Sequence, residues 1–432
     1  MLDAQRPQRS THHRREVKQM GKDYHVRNNC RLCSSEILRG VLNLEPTPLA
    51  NEFLKPGDAR EELFPLYLVE CVACGHVQLP VVVDPARLFR NYVYVSGTSP
   101  AFVDHFRRYA DEVWQAHNLK EGAHVVEIGS NDGTLLRFFK EKGARVLGID
   151  PAEKIAAQAS ESGIDTLPHF FRETLAESIA ETWGQADVVL ANNVFAHADD
   201  LAGIVRGVKK LLKPGGAFAF EVQYLGDLLD GGLFDMVYHE HLSYHSVGPL
   251  LRFVRDQGLE LYGVEHVNTH GGSIRCTVAQ RDHRDPPYNI QAMINREGLE
   301  AKRFAAMQAQ IDERGEYLRE RLHALRKYGK RVAGYGAPAK ATTLMRQFKI
   351  QGMIDYVIDD SPWKEGLCMP GTSIPVRRPG GDWTRVERVA DVMVIFAWNF
   401  AEPILKKLRG AGFFDGERVA IVPLPEYTEV RE

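Results

Sequence analysis

The stretch Val125-Val-Glu-Ile-Gly129-Ser-Asn-Asp-Gly133 fixes the fold class of the chain. Val125 to Ile128 is mostly apolar and predicts a buried parallel strand. Gly129, Gly133 and the small polar residues between them predict a loop, and Thr134-Leu135-Leu136 opens an amphipathic helix. A glycine-rich turn between strand and helix lets a ligand approach the backbone closely. Further on, VLGIDPA places Asp150 at the end of a second strand. A carboxylate there can accept hydrogen bonds from both ribose hydroxyls of an adenosine. The loop is not GxGxxG, and no phosphate-loop lysine follows it. At this point a glycine turn of another doubly wound fold is the alternative.

The pairing of ExGxxxG with Asp150 resembles the S-adenosylmethionine site of class I methyltransferases. The sequence downstream continues the pattern. ARVLGID is the second strand and ADVVLANNVFAH the fourth, which sets Asn192, Asn193 and His197 at or just past the strand's carboxyl end. Ligands sit at that end in open α/β sheets. LLKPGGAFAFEVQY reads as a helix end, a Pro-Gly-Gly turn and a fifth strand. His169-Phe170-Phe171 falls where an adenine-side loop would lie, and reads equally well as core packing. Residues 260–280 predict two strands around Asn268-Thr-His270-Gly-Gly-Ser273, a turn suited to a nearby ligand, completing an antiparallel end of the sheet.

A chain of 432 residues with 44% hydrophobic and 26% charged residues predicts two to four ordinary globular domains. Its formal charge of -3 argues against non-specific nucleic-acid binding, which draws on a basic surplus. No apolar run approaches a membrane span, and the basic N-terminus lacks the apolar core of a secretory signal, so a cytoplasmic protein without a membrane partner is expected. Residues 1–22 are polar, basic and aperiodic, the composition of a disordered tail. Next come Cys30-Arg-Leu-Cys33 and Cys71-Val-Ala-Cys74. Each CxxC turn points two thiolates to one side, and two such knuckles complete a tetrahedral zinc site. With four protein ligands the metal is closed and structural. The long insert between the knuckles must carry its own structure. A redox pair would need only one CxxC, and six cysteines in so long a chain make no disulfide scaffold. His76 is expected at the surface rather than on the metal.

Residues 84–120 hold NYVYVSGTSP, a strand or loop with Tyr92 and Tyr94, then a helix burying Phe102, Phe106, Tyr109, Val113 and Trp114. After strand five comes the densest polar stretch, Tyr238-His239-Glu240-His241-Leu-Ser-Tyr244-His245. It lacks the His spacing of a helical zinc protease. An acid–base role fits better, because histidine titrates near neutral pH and a carboxylate can orient it; a surface His-rich loop is the bland alternative. Phe304, Met307, Ile311, Leu318, Leu322 and Leu325 recur at three- and four-residue steps, predicting a long helix that packs across domains. From Arg331 the strand–loop–helix pattern restarts in RVAGYGAPAKATTLM, with further strands to the end. Its Gly334-Tyr-Gly336-Ala-Pro-Ala-Lys340 loop suits a phosphate, or serves only as a structural turn. No acidic residue is assigned there to a second ribose.

CxxC…CxxC, YVYVSGTS, VVEIGSNDG, YHEHLSYHS, HGGSIR and GYGAPAKATTL together resemble the sugar C-methyltransferases of antibiotic deoxysugar biosynthesis, from about residue 25 to the end. The resemblance implies an α/β chain with a small zinc module (23–83), a class I methyltransferase Rossmann-like domain (84–282), a helical connector (283–330) and a C-terminal Rossmann-like nucleotide-sugar-binding domain (331–432). It implies S-adenosylmethionine and structural zinc as cofactors, and a dTDP-linked 4-keto-deoxysugar methylated on carbon, typically C-3. His241 would be the base, with Glu240 orienting it or binding sugar, Tyr238 and Tyr92 on the keto oxygen or a ring substituent, and His197 as a second acid–base candidate. Glu127, Gly129, Asn131, Asp132, Gly133, Asp150, Asn192 and Asn193 would hold the cofactor; His270, Gly336 and Lys340 the substrate; Cys30, Cys33, Cys71 and Cys74 the zinc. A zinc-ribbon RNA methyltransferase, another small-molecule O- or N-methyltransferase and a non-catalytic nucleotide-sugar-binding protein are the competing readings. The long helix permits a dimer without requiring one.

Overall fold

The computed structural model describes residues 23–58, 62–90, 92, 95–98, 100–269, 271–280, 288–298, 301–379, 390–414 and 416–431. The expected tail, His270 and Tyr94 lie outside them.

In the first 83 residues the described strands are β1 (Tyr24–Val26), β2 (Leu38–Thr47), β3 (Phe64–Cys71), β4 (Val77–Gln78) and β5 (Val81–Val83). β2 and β3 form the hairpin that fills the insert between the two CxxC knuckles, and β1 pairs with β5. α1 (Pro85–Phe89), with Pro at its start and Asp84 accepting from the Ala86 N–H, leads into α2 (Pro100–Ala116). On α2, Phe102, Phe106, Tyr109 and Val113 are buried as their spacing requires.

The central sheet follows in βα alternation: β6 (His124–Ile128), α3 (Thr134–Glu141), β7 (Arg145–Ile149), α4 (Glu153–Glu161), β8 (Thr166–Leu167), α5 (Glu173–Thr182), β9 (Ala186–Asn192), α6 (Leu201–Leu211) and β10 (Leu212–Gln223). Every residue of β6 is buried, the signature of a parallel strand covered by helices on both faces. After α7 (Leu225–Gly231), β11 (Ser243–Tyr244) and α8 (Val247–Asp256), β12 (Leu259–Val267) and β13 (Ser273–Gln280) close the edge. The order is β12-β13-β10-β9-β6-β7-β8, with β13 antiparallel to β10 and β12, so the expected antiparallel end is present. Of the aromatic stretch, Phe171 packs against the core beside α6, while His169 is exposed.

β11 does not join this sheet. It pairs with β4 and gives the zinc module its fourth strand. That pairing corrects one expectation: His76 is fully buried, because β11 brings Ser243 and His245 against it. It is not a zinc ligand.

α9 (Tyr288–Glu297) and α10 (Ala301–Lys327) take the place of the single connector helix. On α10, Phe304, Met307, Ile311, Leu318 and Leu322 are buried in one core that includes residues from the zinc-module hairpin, α7 and the C-terminal sheet. That sheet comprises β14 (Val332–Tyr335), β15 (Tyr356–Ile358), β16 (Val376–Arg377), β17 (Val392–Ile395), β18 (Val419–Val422) and β19 (Thr428–Val430), with α11 (Ala339–Phe348) and α12 (Ala401–Gly410). Its order β16-β15-β14-β17-β18-β19, parallel except for β19, is that of a second Rossmann-like unit. No described helix is long and apolar enough to cross a membrane.

Candidate active site and metal centre

The two knuckles bring Cys30, Cys33, Cys71 and Cys74 together. Their sulfurs all lie within 4.8 Å of one another, with Cys30–Cys74 at 3.6 Å and Cys33–Cys71 at 3.5 Å. A tetrahedral zinc with its usual sulfur distances spaces sulfurs by about 3.8 Å, so the quartet fits the ion. Ser34 and Gly75, each directly after a knuckle, both take positive φ (61° and 82°), which turns the chain away after its second sulfur. Among the described residues this is the group of metal-ligating side chains that converges, and the His-rich segment forms none.

At the carboxyl ends of β6, β7 and β9 the loop from Gly129 to Gly133 opens α3. Gly129 has φ +68°, and a Cβ there would fall 2.2 Å from Val194 Cγ2, so only glycine lets the β6 loop pass the β9 loop. Asp150 accepts the N–H of Asn131 and the N–H of Ala152, both at 2.9 Å. A carboxylate has about four acceptor positions, so two are left for a ribose diol. Burial raises its pKa against those two donors. Glu127 accepts from Asn192 Nδ2 at 3.2 Å, and burial holds its carboxyl well above the usual range. Glu127 Oε2 and Asn192 Oδ1 have no partner and no solvent. Two orphaned acceptors at the gap between β6 and β9, where the strand order reverses, fit a ligand ammonium. Asn193, at φ 55°, takes the tight turn after β9 and donates its N–H to the Glu221 carbonyl.

The side chains of Asn131 and Asp132 are used differently from the expectation. Asn131 Oδ1 accepts the Ser96 N–H and Asp132 Oδ2 the Gly97 N–H, both at 2.9 Å. Asp132 Oδ1 also accepts from Thr134. These two residues tie the turn at Ser96 and Gly97 to the loop.

Next to this end lies the acidic and His-rich segment. His241 is buried, and its Nδ1 lies 2.8 Å from the Met236 carbonyl. A carbonyl only accepts, so Nδ1 carries the proton and Nε2 the lone pair. Burial pushes the His241 pKa down to about 4, against the raising effect of that hydrogen bond. The ring contacts Tyr238 (centroids 4.1 Å) and stacks on His197 (5.1 Å), which stacks in turn on Phe89 (5.6 Å). His197 is likewise held well below the usual histidine range, by burial and then by His241. Glu240 does not orient His241, a correction: its carboxylate accepts from Asn51 Nδ2 at 2.7 Å and from Tyr92 O–H at 3.0 Å. The adjacent residues of the Tyr238–His241 turn point apart, so the carboxylate leaves the imidazole. Burial pushes Glu240 up to about 7. His239 and His245 face the core, near Pro65 and Phe195.

In the C-terminal unit Lys340 lies at the start of α11. It is buried, donates to Asn399 Oδ1 at 2.6 Å and rests 3.5 Å from the centre of the Trp398 ring. Burial lowers its pKa, with Asp235 opposing. The Gly336 turn is forced by the close approach of Ala397. The structure adds an acid that the sequence reading left unassigned. Asp359, just after β15, accepts the Ala337 N–H at 2.6 Å and the Ser361 N–H at 2.9 Å. It repeats the arrangement of Asp150, with Lys364 3.5 Å away as an addition. The signal was present: VIDD ends its strand in an acid as LGID does. Asn51 had no such signal, since it reaches Glu240 across 189 residues.

The fold and the cysteine quartet define a class I methyltransferase that carries a zinc module. Comparison with known proteins agrees domain by domain. Residues 30–89 match the family described as "Putative zinc binding domain", 103–264 a methyltransferase domain, and 268–425 a C-methyltransferase C-terminal domain. The C-methyltransferase NovU of Streptomyces niveus is 34% identical over 407 residues, 92% of this chain and 96% of NovU. A ubiquinone biosynthesis O-methyltransferase of Methylococcus capsulatus is 29% identical over 170 residues, covering 35% of this chain and 70% of its own. A solved magnesium protoporphyrin IX methyltransferase from Synechocystis with bound S-adenosylmethionine aligns over 42% of this chain and 82% of its own, at 16% identity and a TM-score of 0.32. The chain belongs to the S-adenosylmethionine-dependent C-methyltransferase family, with a structural zinc in its N-terminal module.

Proposed function

We propose that the protein methylates carbon, at C-3, beside the ketone of a dTDP-linked 4-keto-deoxysugar of the kind made for antibiotics. The observation that carries this reading is the fixed tautomer of His241. Its Nδ1–H is held by a main-chain carbonyl and its Nε2 lone pair is free to take a proton, at the carboxyl end of the methyltransferase sheet. A carbon next to a ketone loses a proton to such a base because the resulting carbanion is delocalised as an enolate. With a pKa near 4, His241 is unprotonated at neutral pH. The Tyr238 hydroxyl, on the ring packed against His241, serves the enolate oxygen. Glu240, with Tyr92 and Asn51 on its two oxygens, binds a ring hydroxyl, and His197 supports the base by stacking.

Asp150 would hold the cofactor's ribose, the backbone from Gly129 to Gly133 its adjoining atoms, and Glu127 with Asn192 its ammonium. When bound there, S-adenosylmethionine supplies an electrophilic methyl group to the nucleophilic carbon. The C-terminal unit takes the nucleotide: Asp359 and the Gly336 turn repeat the arrangement proposed for the nucleoside in the first sheet, and Lys340, from the helix after β14, reaches the turn after β17, the two strands between which the order reverses. Binding of that remote group holds the reacting carbon in place.

The test is direct. The zinc-loaded protein is incubated with S-adenosylmethionine and a panel of dTDP-4-keto-deoxysugars, and products are followed by mass spectrometry and NMR. A new methyl on the carbon next to the ketone is expected. A methyl on oxygen or nitrogen, or none with any keto-sugar, would overturn the assignment.

A further inference from the structure

The tripeptide Asp235-Met236-Val237 is gripped at each of its residues. The Asp235 carboxylate accepts from Trp398 Nε1 at 2.6 Å. The Met236 carbonyl accepts from His241 Nδ1 at 2.8 Å. The Val237 carbonyl accepts from Thr343 Oγ1, also at 2.8 Å. Trp398 and Thr343 both belong to the C-terminal unit, in the turn after β17 and on α11, whereas the tripeptide belongs to the methyltransferase half. All of these residues are buried. The same corner is stiffened by Lys340, which links α11 to the 398–399 turn through the Trp398 ring and Asn399.

We propose that Thr343 and Trp398 are positioning residues for the reaction: through the 235–237 tripeptide they fix the Met236 carbonyl, and through it the tautomer and the aim of His241. This rests on the reading of His241 as the base. A neutral imidazole donates from one nitrogen only, and the group that receives that proton decides which nitrogen is basic and where it points. The Asp235 side chain before it and the Val237 carbonyl after it are both anchored, which restricts how far the Met236 carbonyl can turn. If a clamp is removed, the carbonyl shifts, and misplacement of a catalytic group by about 1 Å costs up to about 10²-fold. The C-terminal unit thereby contributes to the chemistry without touching the reacting atoms, in addition to its proposed role in holding the nucleotide.

Thr343→Val removes the hydroxyl and keeps the branched shape, and Thr343→Ser restores the hydroxyl. The readouts are kcat, KM for the keto-sugar, Kd for S-adenosylmethionine, and the rate at which the sugar's α-hydrogen exchanges with heavy water. Thr343→Val is expected to lower kcat and exchange about 10-fold while KM and Kd stay within about twofold, and Thr343→Ser to recover most of the loss. In a His241→Asn background the same substitution is expected to change nothing further, because both act through one group. Should Thr343→Val fail to fold, Trp398→Phe keeps an aromatic ring in place while removing the indole N–H that Asp235 accepts, and the same losses of kcat and exchange are expected. A folded variant with unchanged kcat and exchange, or an equal loss with His241 already replaced, would overturn the inference. If His241→Asn itself turned over normally, the base assignment would fall instead, a different result from an enzyme that needs His241 and ignores Thr343.

Discussion

Replacing Glu240 by Gln should make the protein more stable and less active, and the gain should depend on pH. Glu240 is 2% exposed, and its pKa is pushed up from 4.5 to about 7 by burial, with Asn51 and Tyr92 only partly compensating. The folded state therefore holds the proton more tightly than the unfolded state. For a carboxyl raised in this way, stability is lost as pH rises from about 4.5 through about 7, and the penalty is complete above that. At 1.36 kcal/mol per unit, the shift amounts to about 3 kcal/mol. Gln keeps the shape and carries no charge to desolvate. Thermal unfolding of the zinc-loaded wild type and Glu240→Gln would be compared at about pH 5 and about pH 8.5. The variant is expected to gain little at the lower pH and about 6–12 °C more at the higher, at about 2–4 °C per kcal/mol for domains of 150–250 residues. Its turnover should fall, since the carboxylate is lost as an acceptor for the sugar. An equal Tm difference at both pH values would refute the buried-carboxylate argument.

The remaining predictions concern the other groups of the site. His241→Asn should cut turnover by at least about 10²-fold, the usual scale for a general base, while S-adenosylmethionine affinity by calorimetry stays unchanged. In the wild type the acid limb of kcat/KM should lie well below the ordinary histidine value, because burial depresses His241 and its neutral form persists to lower pH. Asp150→Ala should weaken S-adenosylmethionine binding about tenfold or more and also lower Tm, since Asn131 N–H and Ala152 N–H lose their acceptor. Unchanged affinity would remove Asp150 from the ribose. Cys71→Ser should release zinc and lower Tm, with activity falling only as far as folding does; a folded but inactive variant would contradict a structural metal.

What was legible in the sequence was local. The apolar run before Gly129, the strand ending in Asp150 and the two CxxC turns each follow from a few consecutive residues, because strand burial, turn geometry and metal spacing are short-range constraints. The helix spacing from Phe304 to Leu322 likewise gave the buried face of α10. What was not legible came from contacts between distant segments. His76 is buried because β11, more than 160 residues later, pairs beside it. Glu240 turns to Asn51 and Tyr92 rather than to its neighbour His241, since those partners come from the N-terminal third of the chain. Asn131 and Asp132 read as cofactor ligands by position in the loop, yet their side chains hold the 96–97 turn. The support of the base by Met236, Trp398 and Thr343 has no sequence signature, as it exists only once the two sheets have docked.

The most direct test of the account is hydrogen exchange at the sugar. The enzyme is incubated in heavy water with a dTDP-4-keto-deoxysugar, with and without S-adenosylmethionine, alongside His241→Asn. The account predicts deuterium entering the α-carbon without cofactor, a methyl appearing on that same carbon with it, and neither in the variant. Methyl transfer at a carbon that never exchanges, or undiminished exchange without His241, would contradict it.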